Sequence, residues 1–229
     1  MIMKKEELLK LPVSTKRQRI ATIAKQHIGE PLTLLHHYID EAWLKVAYHS
    51  LRKDSAPGID RQTWLEYGEN LEANVKSLLD RAKSGRYKAP AVRRVEIPKP
   101  GSKEKRKLGI PTIEDKVLQK AVLMILDPIY ELEFYNFSYG FRTGKSQHQA
   151  LEYLWQGIMG NKIQWIIDLD IRKFFDTVRH EILQELLGKR VRDGVITRLI
   201  GKWLKAGVLQ DGSISYSDEG TPQGGIVTP

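Results

Sequence analysis

Two aspartates, Asp168 and Asp170, stand two positions apart in an apolar run from Trp165 to Ile171. Read as a strand, the run places Trp165, Ile167, Leu169 and Ile171 on one face and Ile166, Asp168 and Asp170 on the other. Carboxylates on such a strand are costly to bury unless they pair or hold a metal. Hard divalent cations take oxygen ligands of this kind, often one or two from protein with phosphate supplying the rest. The competing reading is a strand-end pair bonded to backbone amides or to Arg and Lys, and the spacing taken alone leans slightly that way. Asp176 precedes Thr177-Val178-Arg179-His180 and reads as a helix N-cap. Further on, Gly220-Thr221-Pro222-Gln223-Gly224-Gly225 is a loop whose paired glycines let backbone approach a ligand closely, with Gln223 offering donors and an acceptor.

Residue type and spacing exclude other chemistries. Gly140-Phe141-Arg142-Thr143-Gly144-Lys145-Ser146 has three residues between its glycines where a phosphate-binding P-loop needs four, and no obvious buried strand precedes it. The six histidines form no close metal-ligand array, and no serine-nucleophile motif is present. There is no cysteine, which removes disulfides, zinc–thiolate sites and thiol nucleophiles. The longest apolar stretch, near Ala121 to Leu126, is far below membrane-spanning length, and Met1 to Glu7 lacks the apolar core of a signal peptide. A cytoplasmic protein without a membrane partner is expected, and the Asn136-Phe137-Ser138 sequon has no secretory context.

The net charge of +9 is unevenly spread. Residues 1–110 carry 23 Lys/Arg against 13 Asp/Glu, residues 111–229 carry 14 against 15, and residues 81–110 alone carry 11 against 2. A scattered excess would be a solvated face. Concentration in one segment instead makes a field that attracts polyanions and favours salt-dependent nucleic-acid binding.

The elements that must position these groups follow from periodicity. Leu32, Leu35, His36 and Ile39, then Ala42, Val46 and Ala47, mark apolar helical faces ending near Asp54, before the turn Ser55-Ala56-Pro57-Gly58-Ile59-Asp60. A helix through Leu71, Val75, Leu78 and Leu79 ends at Ser84-Gly85. From Val92 the pattern alternates to Ile97, and Leu108-Gly109-Ile110 returns after a basic tip, which predicts a hairpin. Thr112 is placed to cap the next helix, with Asp115 three residues on, and Asp127-Pro128 to stop it. A helix is expected over Gln147 to Ile158, a buried strand over Trp165 to Ile171, a helix from about Arg179, and a hairpin around Asp211-Gly212. The class is α+β.

Taken in order, these segments resemble the reverse transcriptase domain of group II intron-encoded proteins over nearly the whole chain. Ser55 to Asp60 is similar to the end of their extra N-terminal block. Ile97-Pro98-Lys99-Pro100-Gly101 and Arg106-Lys107-Leu108-Gly109-Ile110-Pro111-Thr112 resemble the first fingers block, with Lys107 where proline is commoner and a tip one residue longer. Phe137-Ser138-Tyr139-Gly140-Phe141-Arg142 resembles the next block. Asp168 to Asp176 resembles the palm motif that supplies the first metal ligand, and Gly220 to Gly225 the Pro-Gln-Gly-Gly block.

The resemblance implies right-hand polymerase fingers with an incomplete palm, preceded by a helical N-terminal extension: extension 1–60, fingers 61–162, palm 163–229. It implies that Asp170 binds catalytic Mg²⁺ with the carbonyl of Ile171. Lys99 and Arg106 would hold the incoming triphosphate. Phe175 would lie under the nucleotide sugar, although Phe174 and Phe175 would also serve as plain core. Gln223 and Gly224 would lie beside the nucleotide and primer terminus. The implied partners are group II intron RNA, template RNA with a DNA primer, and deoxynucleotide triphosphates. The RNA contacts fall on Arg93, Arg94, Lys103, Lys105, Lys107 and Arg142, and on the N-terminal charges Lys4, Lys5, Lys16, Arg17, Arg19 and Lys25.

The family's second carboxylate motif does not occur in these 229 residues. The expectation is therefore a fragment of a longer enzyme, cut before its carboxylates are complete and unable to polymerise alone. An incomplete palm would expose apolar surface, which makes a homodimer an expected though unspecific outcome. The alternatives are an RNA-binding maturase module with a purely structural role, or a reverse transcriptase of retron or diversity-generating lineage, against which the N-terminal block argues.

Overall fold

The computed structural model describes residues 11–98, 101, 105–161, 163–217, 219–221 and 224–226. Lys4, Lys5, Lys99, Lys103 and Gln223 lie outside the described residues. Helix α1 (Val13–Gln26) leads through a 3₁₀ turn (Leu35–Tyr38) to α2 (Glu41–His49), α3 (Trp64–Glu69) and α4 (Leu71–Ser84). Then come β1 (Val92–Pro98), β2 (Lys105–Ile110) and the long α5 (Ile113–Tyr130). The remainder is α6 (Gln147–Gly160), the short α7 (Phe174–Thr177), α8 (His180–Gly188), α9 (Gly194–Leu204), and β3 (Val208–Gln210) with β4 (Ser213–Ser215). Among the described residues, no helix is long and apolar enough to cross a membrane.

Helix α5 is the axis of the core. Ile113, Val117, Leu118, Ala121, Val122, Ile125 and Ile129 are fully buried, and α1 and α2 pack across them with Ile20, Ala24, Trp43, Leu44 and Ala47. Burying such side chains contributes about 1.5–3 kcal/mol each. Trp43 anchors the crossing by donating its indole N–H to the carbonyl of Ala121 at 2.9 Å. The Thr112 hydroxyl accepts from the Asp115 amide, which caps α5 as its sequence predicts. Pro128 does not stop the helix, which runs on to Tyr130. A proline removes one backbone bond near the helix end, and burial of Ile129 outweighs that loss.

The four strands form one sheet in the order β2-β1-β3-β4, with β1 and β2 antiparallel and β3 parallel to β1 through Val92 and Val208. The N-terminal segment is tied to the far end of the chain. Leu32 donates to Arg190 O and accepts from Arg192 N, both at 2.8 Å, and the Arg190 guanidinium donates to the carbonyl of His27 at 2.7 Å.

The run 163–171 is not a strand. It is irregular coil with Trp165 86% and Leu169 87% exposed. A strand needs a neighbour for its backbone groups, and no described strand lies beside this one. Helix α6 likewise has no buried residue and leaves Leu151, Leu154 and Trp155 exposed. Asp176 lies within α7 instead of capping α8, whose N-cap is Arg179.

Candidate functional site

Three separate pieces of chain converge beside the β1–β2 hairpin. The hairpin register pairs Arg94 with Gly109, Glu96 with Lys107 and Pro98 with Lys105, so Arg94, Glu96, Lys105 and Lys107 share one face. Lys105 and Glu96 are ion-paired at 3.1 Å. Arg106 lies opposite Ile97 on the other face, with Arg93.

The second piece is the α7 turn. Phe175 is half-buried, its ring 5.4 Å from that of Phe174 in an edge-on arrangement. The third is the glycine loop, docked on that turn by backbone bonds. Thr221 N donates to Phe175 O at 2.8 Å and Gly220 N to Val178 O at 2.9 Å. Gly220 has φ +79°, and a Cβ there would lie 2.9 Å from the carbonyl oxygen of Asp176, so only glycine fits. His180 Nε2 contacts Gly220 O at 2.7 Å. Gly224, at φ +104°, brings the loop back against Gly109 O of β2. A cavity of about 220 Å³ between the pieces is lined by Arg94, Lys107, Asp176, Tyr216, Glu219 and Thr221.

Other expected site residues are held elsewhere. Arg93 donates twice to the carbonyl of Pro57, at 2.8 and 3.1 Å. Lys116 joins it on the same loop, donating to Ser55 Oγ at 2.7 Å and Ala56 O at 2.6 Å. Burial lowers the Lys116 amine to about 8, helped by the Arg93 charge and opposed by Asp60. Arg142, with its side chain 6% exposed, makes a paired contact with Glu131 and donates to the carbonyls of Tyr135 and Ser138. Its donors are occupied in fixing its own loop.

Lys16 is fully buried and ion-paired with Asp40, so it presents no charge to a partner. Burying a lysine is costly unless a carboxylate pairs with it, and here Asp40 does. Arg17 is exposed on the same helix, Arg19 is partly exposed beside Tyr38, and Lys25 is exposed.

Asp168, Asp170 and Ile171 lie in the exposed 163–171 coil. Their oxygen donors suit Mg²⁺ chemically. Among the described residues, however, no group of three or more His, Asp or Glu is gathered to hold a metal, so the structure does not assemble a two-metal centre.

A buried pair on α5 escaped the sequence reading. Asp115 and Gln119 stand one helical turn apart on the buried side, beneath the glycine loop, and Ile226 N donates to Gln119 Oε1 at 2.9 Å. The signal available was an acid and an amide four residues apart inside an apolar stripe. Burial raises Asp115 to about 6, although Tyr87, Trp203 and Gln119 all donate to it. With Trp203, Thr221, Gly225 and Gly109, the pair lines a cavity of about 310 Å³.

Residues 97–229 match the family described as Reverse transcriptase (RNA-dependent DNA polymerase). The chain is similar to the group II intron-encoded protein LtrA of Lactococcus lactis subsp. cremoris, 36% identical over 216 residues, which is 93% of this chain and 35% of that protein. It is 35% identical over 176 residues to protein YkfC of Escherichia coli (strain K12), covering 76% of this chain and 46% of that one. It is also 31% identical over 103 residues to nuclear intron maturase 3, mitochondrial, of Arabidopsis thaliana, covering 45% of this chain and 14% of that protein. The chain thus spans less than half the length of each of these relatives.

Proposed function

This chain belongs to the reverse transcriptase family, and from that premise we propose that the whole protein is an RNA-directed DNA polymerase that binds group II intron RNA and assists its splicing. The observation that carries this is the meeting of the basic hairpin face, the Phe175 turn and the glycine loop around one cavity. In this reading residues 1–60 are a helical extension, 61–162 the fingers and 163–229 the start of the palm, working in the cytoplasm.

Each group then has a chemical task. Arg106 and Lys99 hold the triphosphate, the first through paired donors and the second as a point charge. Phe175 supports the sugar and excludes a 2′-hydroxyl, and Gln223 and Gly224 border the nucleotide and the primer end. Arg94, Lys105, Lys107, Lys103, Arg17 and Arg19 face the phosphates of template and intron RNA. The Asp170 carboxylate and the Ile171 carbonyl would be the oxygen ligands for Mg²⁺, which would neutralise charge on the reacting phosphates. One such carboxylate is too few for two metals, so the 229 residues alone are inactive.

The test is Asp170→Asn in the whole protein, assayed by primer extension on an RNA template with Mg²⁺. Extension should vanish while intron-RNA affinity stays within about two-fold, because one residue serves chemistry and the hairpin serves binding. Extension that survives the substitution, or incorporation by the 229 residues alone, would overturn the assignment. A second reading, an RNA-binding module with no catalytic part, rests on the charge of residues 81–110. It predicts unchanged splicing assistance in the Asp170→Asn protein and no extension in either form.

A further inference from the structure

A buried polar relay runs from the centre of the molecule to the glycine loop. Gln119 is 5% exposed on α5. Its Oε1 accepts from the Ile226 backbone N–H at 2.9 Å, and its Nε2 donates to Asp115 Oδ2 at 3.2 Å. Partner chemistry dictates this orientation, since a backbone N–H can only donate and a carboxylate can only accept. The other carboxylate oxygen of Asp115 accepts from Trp203 Nε1 at 2.6 Å and from the Tyr87 hydroxyl. The relay therefore joins the segment before β1, two positions of α5, α9 and the glycine loop. Among the described residues, no other side-chain hydrogen bond reaches residues 224–226.

We propose that Gln119 is a positioning residue that clamps the Gly224–Ile226 segment, and that Asp115 keeps the Gln119 amide turned to do so. The relay ends on the Ile226 backbone N–H and the Trp203 indole N–H, two groups that can only donate. Asp115 offers Trp203 and Gln119 an acceptor in either orientation, because its two carboxylate oxygens are equivalent and can only accept. Gln119 cannot turn over without setting its amino group against the Ile226 N–H and its carbonyl against the carboxylate. The loop position is thus set by the polarity of a buried amide as well as by shape. That this segment borders the nucleotide rests on the function proposed above, whereas the clamp does not.

Isosteric exchanges separate the clamp from simple packing. In Asp115→Asn, Trp203 retains the carboxamide oxygen, so the amino group faces Gln119 donor to donor and turns the Gln119 amide away from Ile226. In Gln119→Glu, two carboxylates oppose each other. The double variant Asp115→Asn/Gln119→Glu restores every donor–acceptor match with the original net charge. Amide hydrogen exchange at Ile226 in this chain should quicken about ten-fold in each single variant and return to within about two-fold in the double. Gln119→Leu, which adds no repulsion, should quicken it similarly and covers the case in which a single isostere fails to fold. In the whole protein, the single variants should raise the nucleotide KM more than they lower kcat, and the double should reverse this. Singles that leave Ile226 exchange unchanged, or a folded double that does not restore it, would overturn the clamp. Exchange that follows the prediction while KM stays constant upholds the clamp and removes the loop from the nucleotide site.

Discussion

Asp115 makes the stability of this chain depend on pH in a direction opposite to most carboxylates. Burial raises its folded value to about 6 from an ordinary 3.8, against the hydrogen bonds of Tyr87, Trp203 and Gln119 that favour the charged form. A raised carboxyl binds its proton more tightly when folded. Its contribution is therefore fully present below the unfolded value and is lost as pH rises through about 6. The gap of about two units corresponds to about 3 kcal/mol over the full range, and about 1.3 kcal/mol of that falls between about pH 7 and pH 5. The charge of Glu114, on the same helix, raises it further. Burial raises Asp127 in the same sense, whereas several other carboxylates behave in the opposite one. For Asp193, burial raises the value but the His36 and Ile196 hydrogen bonds prevail and hold it low, so that its share is lost in acid. A difference measurement cancels them. Urea unfolding of the chain and of Asp115→Asn, run side by side from about pH 7.5 to 5, should show the wild type gaining on the variant by about 1.3 kcal/mol as pH falls. A difference that stays flat, or that shrinks toward acid, would refute the assignment of a burial-raised carboxyl at this position.

Two further outcomes follow from geometry. Gly58→Ala would put a Cβ 2.5 Å from Thr112 N, against backbone that cannot swing aside, so it should cost about 1–3 kcal/mol in denaturant unfolding and release the loop held by Arg93 and Lys116. Arg94→Glu with Lys107→Glu should weaken RNA binding and reduce the slope of log affinity against log salt by about two, measured by filter binding at several salt concentrations, whereas an unchanged slope would move the RNA surface elsewhere.

Local features were legible in the sequence where one residue type answers to one local need. The alternation from Val92 to Ile97, the Thr112 cap, the Gly85 helix end and the Asp211-Gly212 turn all appear where predicted. Features that need a distant partner were not. Nothing near Val92 announces that β3 will lie parallel to it, and nothing near Lys16 announces Asp40. The Trp165–Ile171 run has the apolar pattern of a strand, but pairing supplies what a strand needs, and no described strand provides it. In the site, the glycine loop was readable as a motif, whereas the short helix that carries Phe175 was not, because Asp176 reads as the cap of the helix after it. Gln119 was hidden because a polar residue on a buried stripe declares its role only through what it touches.

The bridge from Leu32 to Val191 also sets a clock on synthesis. The early helices bury Leu32 and Leu35 in a core shared with Val191, Ile196 and Leu199, which are translated more than 150 residues later. At roughly 5–20 residues per second, that interval lasts on the order of 10–30 seconds. During it the nascent helices carry both their basic charges and an unfilled apolar seam. The stretch that carries Leu35 and Ile39 is thus committed to waiting, and its core closes only when the segment from Arg190 to Trp203 has emerged to fill it.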